Sequence, residues 1–313
     1  MPISIGEAQD VYKDAGENID FTVLSFKREN LAAEKAAFQE LAARIPAITR
    51  SMRIRYPKSV LAIAFGISAS GWRYLFPDVK KPKELREFRG VEGPKYTAPG
   101  TPGDLFFHVR AGEQAVVYEV MAQIMTFIKD ETTVEDETHG FRYFEGRAII
   151  GFIDGTENPD FHEAADYALI GDEDPAYING SYAFAQKYLH NMAAWQALTT
   201  EQQEAAIGRK KFSDLELDDA AKAPNAHNVA SQDNKDGIEH KIIRMNVPFS
   251  EPATEQTGTY FIGYARHFNV TLRMLNNMFE KSDRLLDFST PITGAEFFIP
   301  SLPVLAKMAE GTL

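Results

Sequence analysis

Residues 149–159 read Ile-Ile-Gly-Phe-Ile-Asp-Gly-Thr-Glu-Asn-Pro, an apolar run that stops in a turn. Asp154-Gly155 breaks the run, and Asn158-Pro159 keeps the chain from resuming it. Because Asp154 directly follows large apolar side chains, we expect it at the edge of a core. Burial there raises a carboxyl pKa and a neighbouring cation lowers it, which is how a group is tuned for proton transfer. The alternative is a side chain that only caps the turn.

The composition limits the classes of protein to which the chain can belong. Its 313 residues allow two ordinary domains or one large one. The absence of cysteine excludes a disulfide framework, a thiolate-ligated haem and an iron–sulfur cluster. The net charge of -12 disfavours general binding to nucleic acids or anionic membranes. We therefore expect neither as a partner.

The sequence carries no recognisable membrane or export signal. It has no apolar run of the roughly eighteen residues that a spanning helix needs. Residues 1–8 contain no basic region followed by an apolar one, and no twin arginine. The absence of cysteine also suits a reducing compartment. We expect a cytoplasmic protein.

Periodicity and turn residues predict a strand–helix–strand order that occurs twice. Residues 72–103 and 218–239 are rich in turn formers or polar residues, and we expect irregular surface segments there. Thr199 and Gln202 predict a capping box at the start of a helix. The predicted strands cover residues 21–27, 61–67, 105–109, 132–144, 182–188, 241–247, 259–264 and 296–299, and the longest predicted helices cover 31–48, 113–129 and 268–279.

Two local matches indicate an internal duplication. Residues 30–33, Asn-Leu-Ala-Ala, are similar to residues 191–194, Asn-Met-Ala-Ala, and each set follows a predicted strand. Residues 103–107 and the helix after them are similar to residues 258–262 and their helix. We therefore predict an α+β protein of two ferredoxin-like halves, 1–150 and 151–313. Each half is an antiparallel sheet with flanking helices.

Residues 151–159 closely resemble the signature of the dye-decolorising, or DyP-type, haem peroxidases. Residues 102–110, 140–143, 242–246 and 291–298 resemble further family segments in the same order, so the resemblance runs from about residue 20 to residue 310. It is to the short bacterial members called the B type. It implies an oxidoreductase that uses hydrogen peroxide to oxidise dyes, phenolics or similar electron donors through a ferryl intermediate.

The same resemblance implies one haem b per chain, held in the C-terminal half, and turnover that rises as the pH falls. We further expect a homo-oligomer of two or more chains. Because the sequence ends soon after the last family-like segment, we expect no docking into a protein nanocompartment.

Seven histidines could ligate the haem iron. The resemblance places the proximal ligand in the polar segment between the Asp-Gly turn and the arginine strand, where His227 lies. The resemblance also points to a C-terminal acid as the carboxylate that accepts the second ring N–H of this histidine, and we predict Asp287 for this role. An aspartate at a helix end in water is the alternative for Asp287.

Arg244 and Asn246 lie two residues apart on a predicted strand, so both side chains leave by the same face. An arginine in an apolar strand requires a fixed negative charge, such as a haem propionate, Asp154 or bound peroxide. A solvated arginine on an edge strand is the alternative. By the resemblance, Asp154, Arg244 and Asn246 are the catalytic residues opposite His227.

Thr259 and Phe261 also share one strand face. The resemblance implies leucine and phenylalanine over the haem in this pattern, so Phe261 fits and Thr259 departs. A hydroxyl at this place predicts a wetter pocket. Gly155 and Thr156, in the turn, are expected to contact the cofactor.

Two other functions remain compatible with the sequence. A haem carrier or iron-releasing factor would show incidental peroxidase activity. Independently of the resemblance, an oxygen-rich metal site for hydrolysis or cation binding is conceivable. Its ligands would be Asp154, Glu157, Asp160, His162 and Glu163.

Overall fold

The computed structural model describes residues 3–12 and 14–313. The elements before residue 142 are β1 (Asn18–Phe26), α1 (Leu31–Arg55), β2 (Ala62–Ile67), α2 (Ala69–Leu75), β3 (Gly90–Glu92), β4 (Thr97–Pro99), β5 (Leu105–Ala111), α3 (Gln114–Ile128) and β6 (Thr132–Phe141).

The later elements are α4 (Ala164–Ala168), β7 (Ser181–His190), α5 (Met192–Gln196), α6 (Thr200–Ile207), α7 (His227–Ala230), β8 (Ile243–Glu251), β9 (Gln256–Ala265), α8 (Phe268–Glu280), β10 (Ser289–Pro291), β11 (Ala295–Ile299) and α9 (Leu302–Glu310).

The strands form one antiparallel sheet in the order β6-β1-β5-β2-β11-β7-β9-β8, with β10 paired to β7 and a separate β3–β4 hairpin. The order consists of two groups of four strands, β6-β1-β5-β2 and β11-β7-β9-β8. When the strands of each group are numbered along the chain, their order in the sheet is fourth, first, third, second, which is the ferredoxin-like plan. The groups join where Phe298 of β11 pairs with Ile67 of β2. The predicted α+β class with ferredoxin-like halves is confirmed, while the domain boundary near residue 150 stays a prediction.

The sheet curves until its end strands β6 and β8 approach each other. A Cβ on Gly140 of β6 would lie only 2.4 Å from Val247 Cγ1 of β8. Two cores result from this curvature. One fills the inside of the curved sheet with residues such as Phe21, Phe106 and Tyr260, and the other lies under the helices.

Several segments differ from the sequence prediction because tertiary burial decides them. Residues 72–103 contain the end of α2 and the β3–β4 hairpin, since Trp72 and Leu85 are buried in the helix-side core. Helix α9 was not predicted, although Leu305 and Met308 bury one of its faces. The capping box of Thr199 and Gln202 is confirmed. Within the ranges described above, no helix combines the length and apolarity needed to cross a bilayer.

The junction of the two strand groups tolerates no extra atom at Gly66. A Cβ there would lie 2.6 Å from Ile299 Cδ1 and 3.2 Å from the Phe298 carbonyl oxygen. We expect Gly66→Ala to lower the free energy of unfolding by about 1–3 kcal/mol, measured by urea denaturation. Gly6→Ala is the matched control, because a Cβ at Gly6 meets nothing within 4 Å. Wild-type stability of the Gly66 variant would show that the junction is not tightly packed.

Candidate active site

The main cavity lies in the second half, between the sheet and the helices α7 and α8. One wall comes from β7, β8 and β9, and the other from α7, α8 and the segment after α8. The space between these walls, counted together with its open mouth, amounts to about 1220 Å³. The apolar lining includes Ile150, Phe152, Ile242, Phe261, Met274 and Met278. The cavity therefore has the mainly apolar lining with a few polar groups that is typical of small-molecule and cofactor sites.

His227 begins α7 and lines the helical wall. Its Nδ1 lies 2.7 Å from Oδ2 of Asp283, which is fully buried. The second Asp283 oxygen accepts the Leu285 N–H at 2.8 Å. Because a carboxylate only accepts, Nδ1 carries a proton, and in the neutral imidazole Nε2 then has the lone pair. The imidazole is thus oriented as metal-ligating histidines are.

The prediction that Asp287 pairs with His227 is wrong. Asp283 caps the 3₁₀ turn Arg284–Asp287 that Asp287 ends. Four residues further on at about 3.0 residues per turn, the Asp287 side chain points a third of a turn away. It accepts hydrogen bonds from Lys95 and Tyr96 instead. No sequence signal separated the two aspartates, since both flank the same turn.

Asp154 is held on the sheet wall by Asn246 of β8. Asn246 Nδ2 donates to Asp154 Oδ1 at 2.6 Å, and the Asn246 backbone N–H donates to Oδ2 at 2.8 Å. Burial raises the pKa of Asp154, and the Asn246 hydrogen bonds and the Arg244 charge offset only part of this effect. The carboxyl can therefore exchange a proton more readily than an ordinary aspartate at mildly acidic pH.

The turn that carries Asp154 also completes the outer edge of β8. Asn158 Oδ1 accepts the Arg244 backbone N–H at 2.9 Å, and Asn158 Nδ2 donates to the Arg244 carbonyl at 2.8 Å. Gly155 has a φ of +80°, a left-handed conformation that favours glycine. The sequence reading missed Asn158, although an amide is the side chain that can imitate a paired strand.

Arg244 presents its positive charge to the cavity. Its guanidinium makes no hydrogen bond or ion pair with the residues that the structure describes, although its backbone is fixed by Asn158. Burial lowers its pKa, while Glu157 and Asp154 act in the opposite direction without touching it. A guanidinium stays protonated in proteins. The sheet wall therefore offers a preformed site for an anionic group.

The remaining predicted residues also line the cavity. Phe261 and Thr259 share the sheet wall, as their spacing predicted. The Thr259 hydroxyl is not free, because Oγ1 lies 2.8 Å from His190 Nε2. Thr156 is exposed near the mouth and donates to Asp214 Oδ2 at 2.7 Å. The hydroxyl at position 259 is thus part of a protein network rather than a simple source of wetness.

The structure does not bring the alternative metal ligands together. Asp154 is bound by Asn246 and Glu157 by Arg209, at 2.7 Å. The other three, Asp160, His162 and Glu163, are exposed. Across the described ranges, the one cluster of three metal-ligating side chains joins Asp20 of β1 to Glu137 and His139 of β6.

Family models for the two parts of Dyp-type peroxidases match almost the whole chain. The N-terminal model matches residues 9–142 and the C-terminal model matches residues 145–304. The chain belongs to the Dyp-type peroxidase family. The resemblance seen in the sequence is thereby confirmed.

Individual relatives support the same assignment. The dye-decolorizing peroxidase of Mycobacterium tuberculosis is 43% identical over 293 residues, which cover 89% of this chain and 87% of that protein. A dye-decolorizing peroxidase from Bacteroides thetaiotaomicron has a TM-score of 0.92 and 47% identity, covering 96% of this chain and 98% of its own. A DypB variant from Rhodococcus jostii, solved in complex with heme, has a TM-score of 0.88 and 41% identity, covering 93% and 95%.

These similarities confirm the predicted peroxidase function. The protein is an enzyme of the dye-decolorising peroxidase type. None of the reported similarities favours the alternative of a haem carrier.

Detaching the turn from β8 should loosen the sheet wall. We expect Asn158→Ala to lower the free energy of unfolding by about 1–3 kcal/mol, because the Arg244 backbone loses both partners. Hydrogen exchange should accelerate at the Arg244 amide and remain slow at the β8 amides that face β9. Asn234→Ala, which removes only an exposed contact with Gln232, is the control. Unchanged exchange at Arg244 would contradict the anchoring role of Asn158.

Proposed function

We propose that the cavity binds one haem b per chain and that hydrogen peroxide reacts on its sheet side. The observation that carries this proposal is the pairing of opposite walls. His227, backed by a buried carboxylate, lines one wall, and Asp154 and Arg244 line the other. A site of this kind provides an iron ligand on one side, and a proton carrier and a positive charge on the other.

The residues present fit a haem with its anionic propionates. Arg244 supplies a cation that has no partner among the described residues, and Thr271 Oγ1 is a buried hydroxyl in the cavity lining that also lacks one. Unpaired buried polar groups are costly, so a bound anion would satisfy what the protein leaves open. The apolar side chains from both walls suit the faces of a flat macrocycle.

His227 is the proposed iron ligand through Nε2. Asp283 fixes its tautomer and makes the imidazole more electron-rich, which stabilises the oxidised iron. The bound haem supplies the electron-transfer chemistry, and the protein supplies placement and electrostatics.

Asp154 is the proposed proton carrier. When ionised, its carboxylate would accept a proton from one peroxide oxygen and return it to the other, as general base and then general acid. Asn246 holds both carboxylate oxygens, so the carboxyl is preorganised for this transfer.

Arg244 is the proposed stabiliser of negative charge as the O–O bond breaks. It cannot serve as a base because it stays protonated. Electrons then come from dyes, phenolics or similar small-molecule donors.

We also propose a cytoplasmic homo-oligomer of two or more chains, supported by the cysteine-free sequence and the family resemblance.

The first experiment is rapid mixing of haem-loaded variants with peroxide, followed by absorbance. We expect Arg244→Leu to slow the first step about 100-fold, because one preorganised charge contact contributes roughly 3 kcal/mol. Arg244→Lys keeps the charge without the planar guanidinium, and its rate should lie between those of the wild type and Arg244→Leu. Asp154→Ala should also slow this step, though less if water carries the proton. If neither Arg244→Leu nor Asp154→Ala slows it, the sheet-side assignment fails.

The first step should depend on pH through Asp154. Its base form is the ionised one and its pKa is raised, so the rate should fall as the pH drops through that raised pKa. The inflection should lie above the ordinary aspartate value of about 3.9 and be absent in Asp154→Ala. This pH dependence of the first step is opposite to that of overall turnover, which the resemblance implies to rise as the pH falls. The two differ because turnover also includes oxidation of the donor. A pH-independent first step in the wild type would remove Asp154 from this role.

The two aspartates of the turn provide a matched pair of variants. Asp283→Asn should weaken haem binding at least about tenfold and raise the iron reduction potential, since His227 loses its anionic partner. Asp287→Asn changes only the charge of a side chain that accepts from Lys95 and Tyr96, and it should leave both properties unchanged. Haem titration and spectroelectrochemistry measure the two effects. The reverse pattern would restore Asp287 as the partner of His227.

A further inference from the structure

Three hydrogen-bonded side chains form a network in the wall of the cavity. Thr259 Oγ1 lies 2.8 Å from His190 Nε2, and Ser289 Oγ lies 2.8 Å from His190 Nδ1. All three residues line the cavity. Their positions are set by the sheet, because Ser289 pairs with His190 between β10 and β7, and Thr259 pairs with Tyr188 between β9 and β7.

His190 is neutral in this network, so the direction of both hydrogen bonds can reverse. Burial lowers the pKa of His190 to about 4. A neutral imidazole has one N–H and one lone pair, and a hydroxyl can donate or accept. In one tautomer Nε2–H donates to Thr259 while Ser289 donates to Nδ1. In the other, Nδ1–H donates to Ser289 while Thr259 donates to Nε2.

Each tautomer gives the Thr259 hydroxyl a different capacity towards the cavity. When Oγ1 accepts from Nε2–H, its own proton is free to be donated to a ligand. When Oγ1 donates to Nε2, its remaining lone pair is free to accept from a ligand O–H. An ionised Asp154 can only accept and Arg244 can only donate. Thr259 can do either without ionising.

Peroxide needs both kinds of partner, since its oxygen bears a proton before the transfer and negative charge afterwards. We propose that Thr259 contacts peroxide as a hydrogen-bonding group whose direction is set by His190, with His190 and Ser289 as positioning residues. This inference rests on the proposed function, because it places peroxide beside the sheet wall.

Fluoride titration of the haem-loaded protein, followed by absorbance, tests the contact without turnover. Fluoride accepts hydrogen bonds and donates none. Thr259→Val preserves the shape and removes the hydroxyl, so it should weaken fluoride binding about fivefold. Thr259→Ser should restore it to within about twofold. Thr259→Ala also lacks the hydroxyl and should match the valine variant, which keeps the test valid if valine disturbs folding. Thr290→Val, at an exposed position of β10, is the control.

His190 should act only through Thr259. His190→Phe should also weaken fluoride binding about fivefold, and the Thr259→Val/His190→Phe double variant should bind no more weakly than either single one. A merely structural role of His190 would instead give losses that add.

The outcomes separate this inference from the function on which it rests. Failure of the wild-type protein to bind haem would overturn the proposed function itself. If haem binds and Arg244→Leu weakens fluoride binding while Thr259→Val does not, the proposed function stands and the Thr259 contact is excluded.

Discussion

The outer edge of β8 is the constraint on which the site depends. Strand β8 pairs with β9 on one side, and on its other side the backbone N–H groups of Arg244 and Asn246 require partners. The side chains of Asn158 and Asp154 provide them. The same contacts that complete the strand therefore place the carboxyl of Asp154 beside the side chains of Arg244 and Asn246. Structure and chemistry share one set of hydrogen bonds here.

The free protein carries electrostatic costs that a bound cofactor can relieve. Arg244 lacks an ionic partner among the described residues, and Asp154 is ionised less readily because it is buried. Buried charges without partners oppose folding. On the helical wall, by contrast, Asp283 is satisfied by His227 and by the Leu285 N–H. The protein thus fixes the proposed iron ligand firmly, and on the opposite wall the positive charge of Arg244 remains available to an anionic group.

The local sequence predicted which residues share a strand face, because that depends on their spacing. It did not predict contacts that depend on the tertiary structure. Period-two spacing placed Arg244 with Asn246, and Thr259 with Phe261, and the structure brings all four into one cavity. The duplicated strand–helix–strand order predicted the sheet plan. The partner of His227 could not be predicted, because Asp283 and Asp287 differ only in their rotation about a short turn. The hydrogen-bond network of His190 could not be predicted for a similar reason: its hydroxyl partners lie on β9 and β10, 69 and 99 residues away.

The most direct measurement is titration of the protein with haem, read from the visible absorption band, for His227→Ala and His240→Ala side by side. His240 is another of the seven histidines; it lies just before β8 and is not among the residues that line the cavity. If His227 holds the iron through Nε2, its alanine variant should bind haem weakly, with an altered spectrum that added imidazole restores. His240→Ala should keep the wild-type spectrum. A wild-type spectrum for His227→Ala, together with loss of the haem absorption band in His240→Ala, would contradict the placement of the iron ligand opposite Asp154 and Arg244.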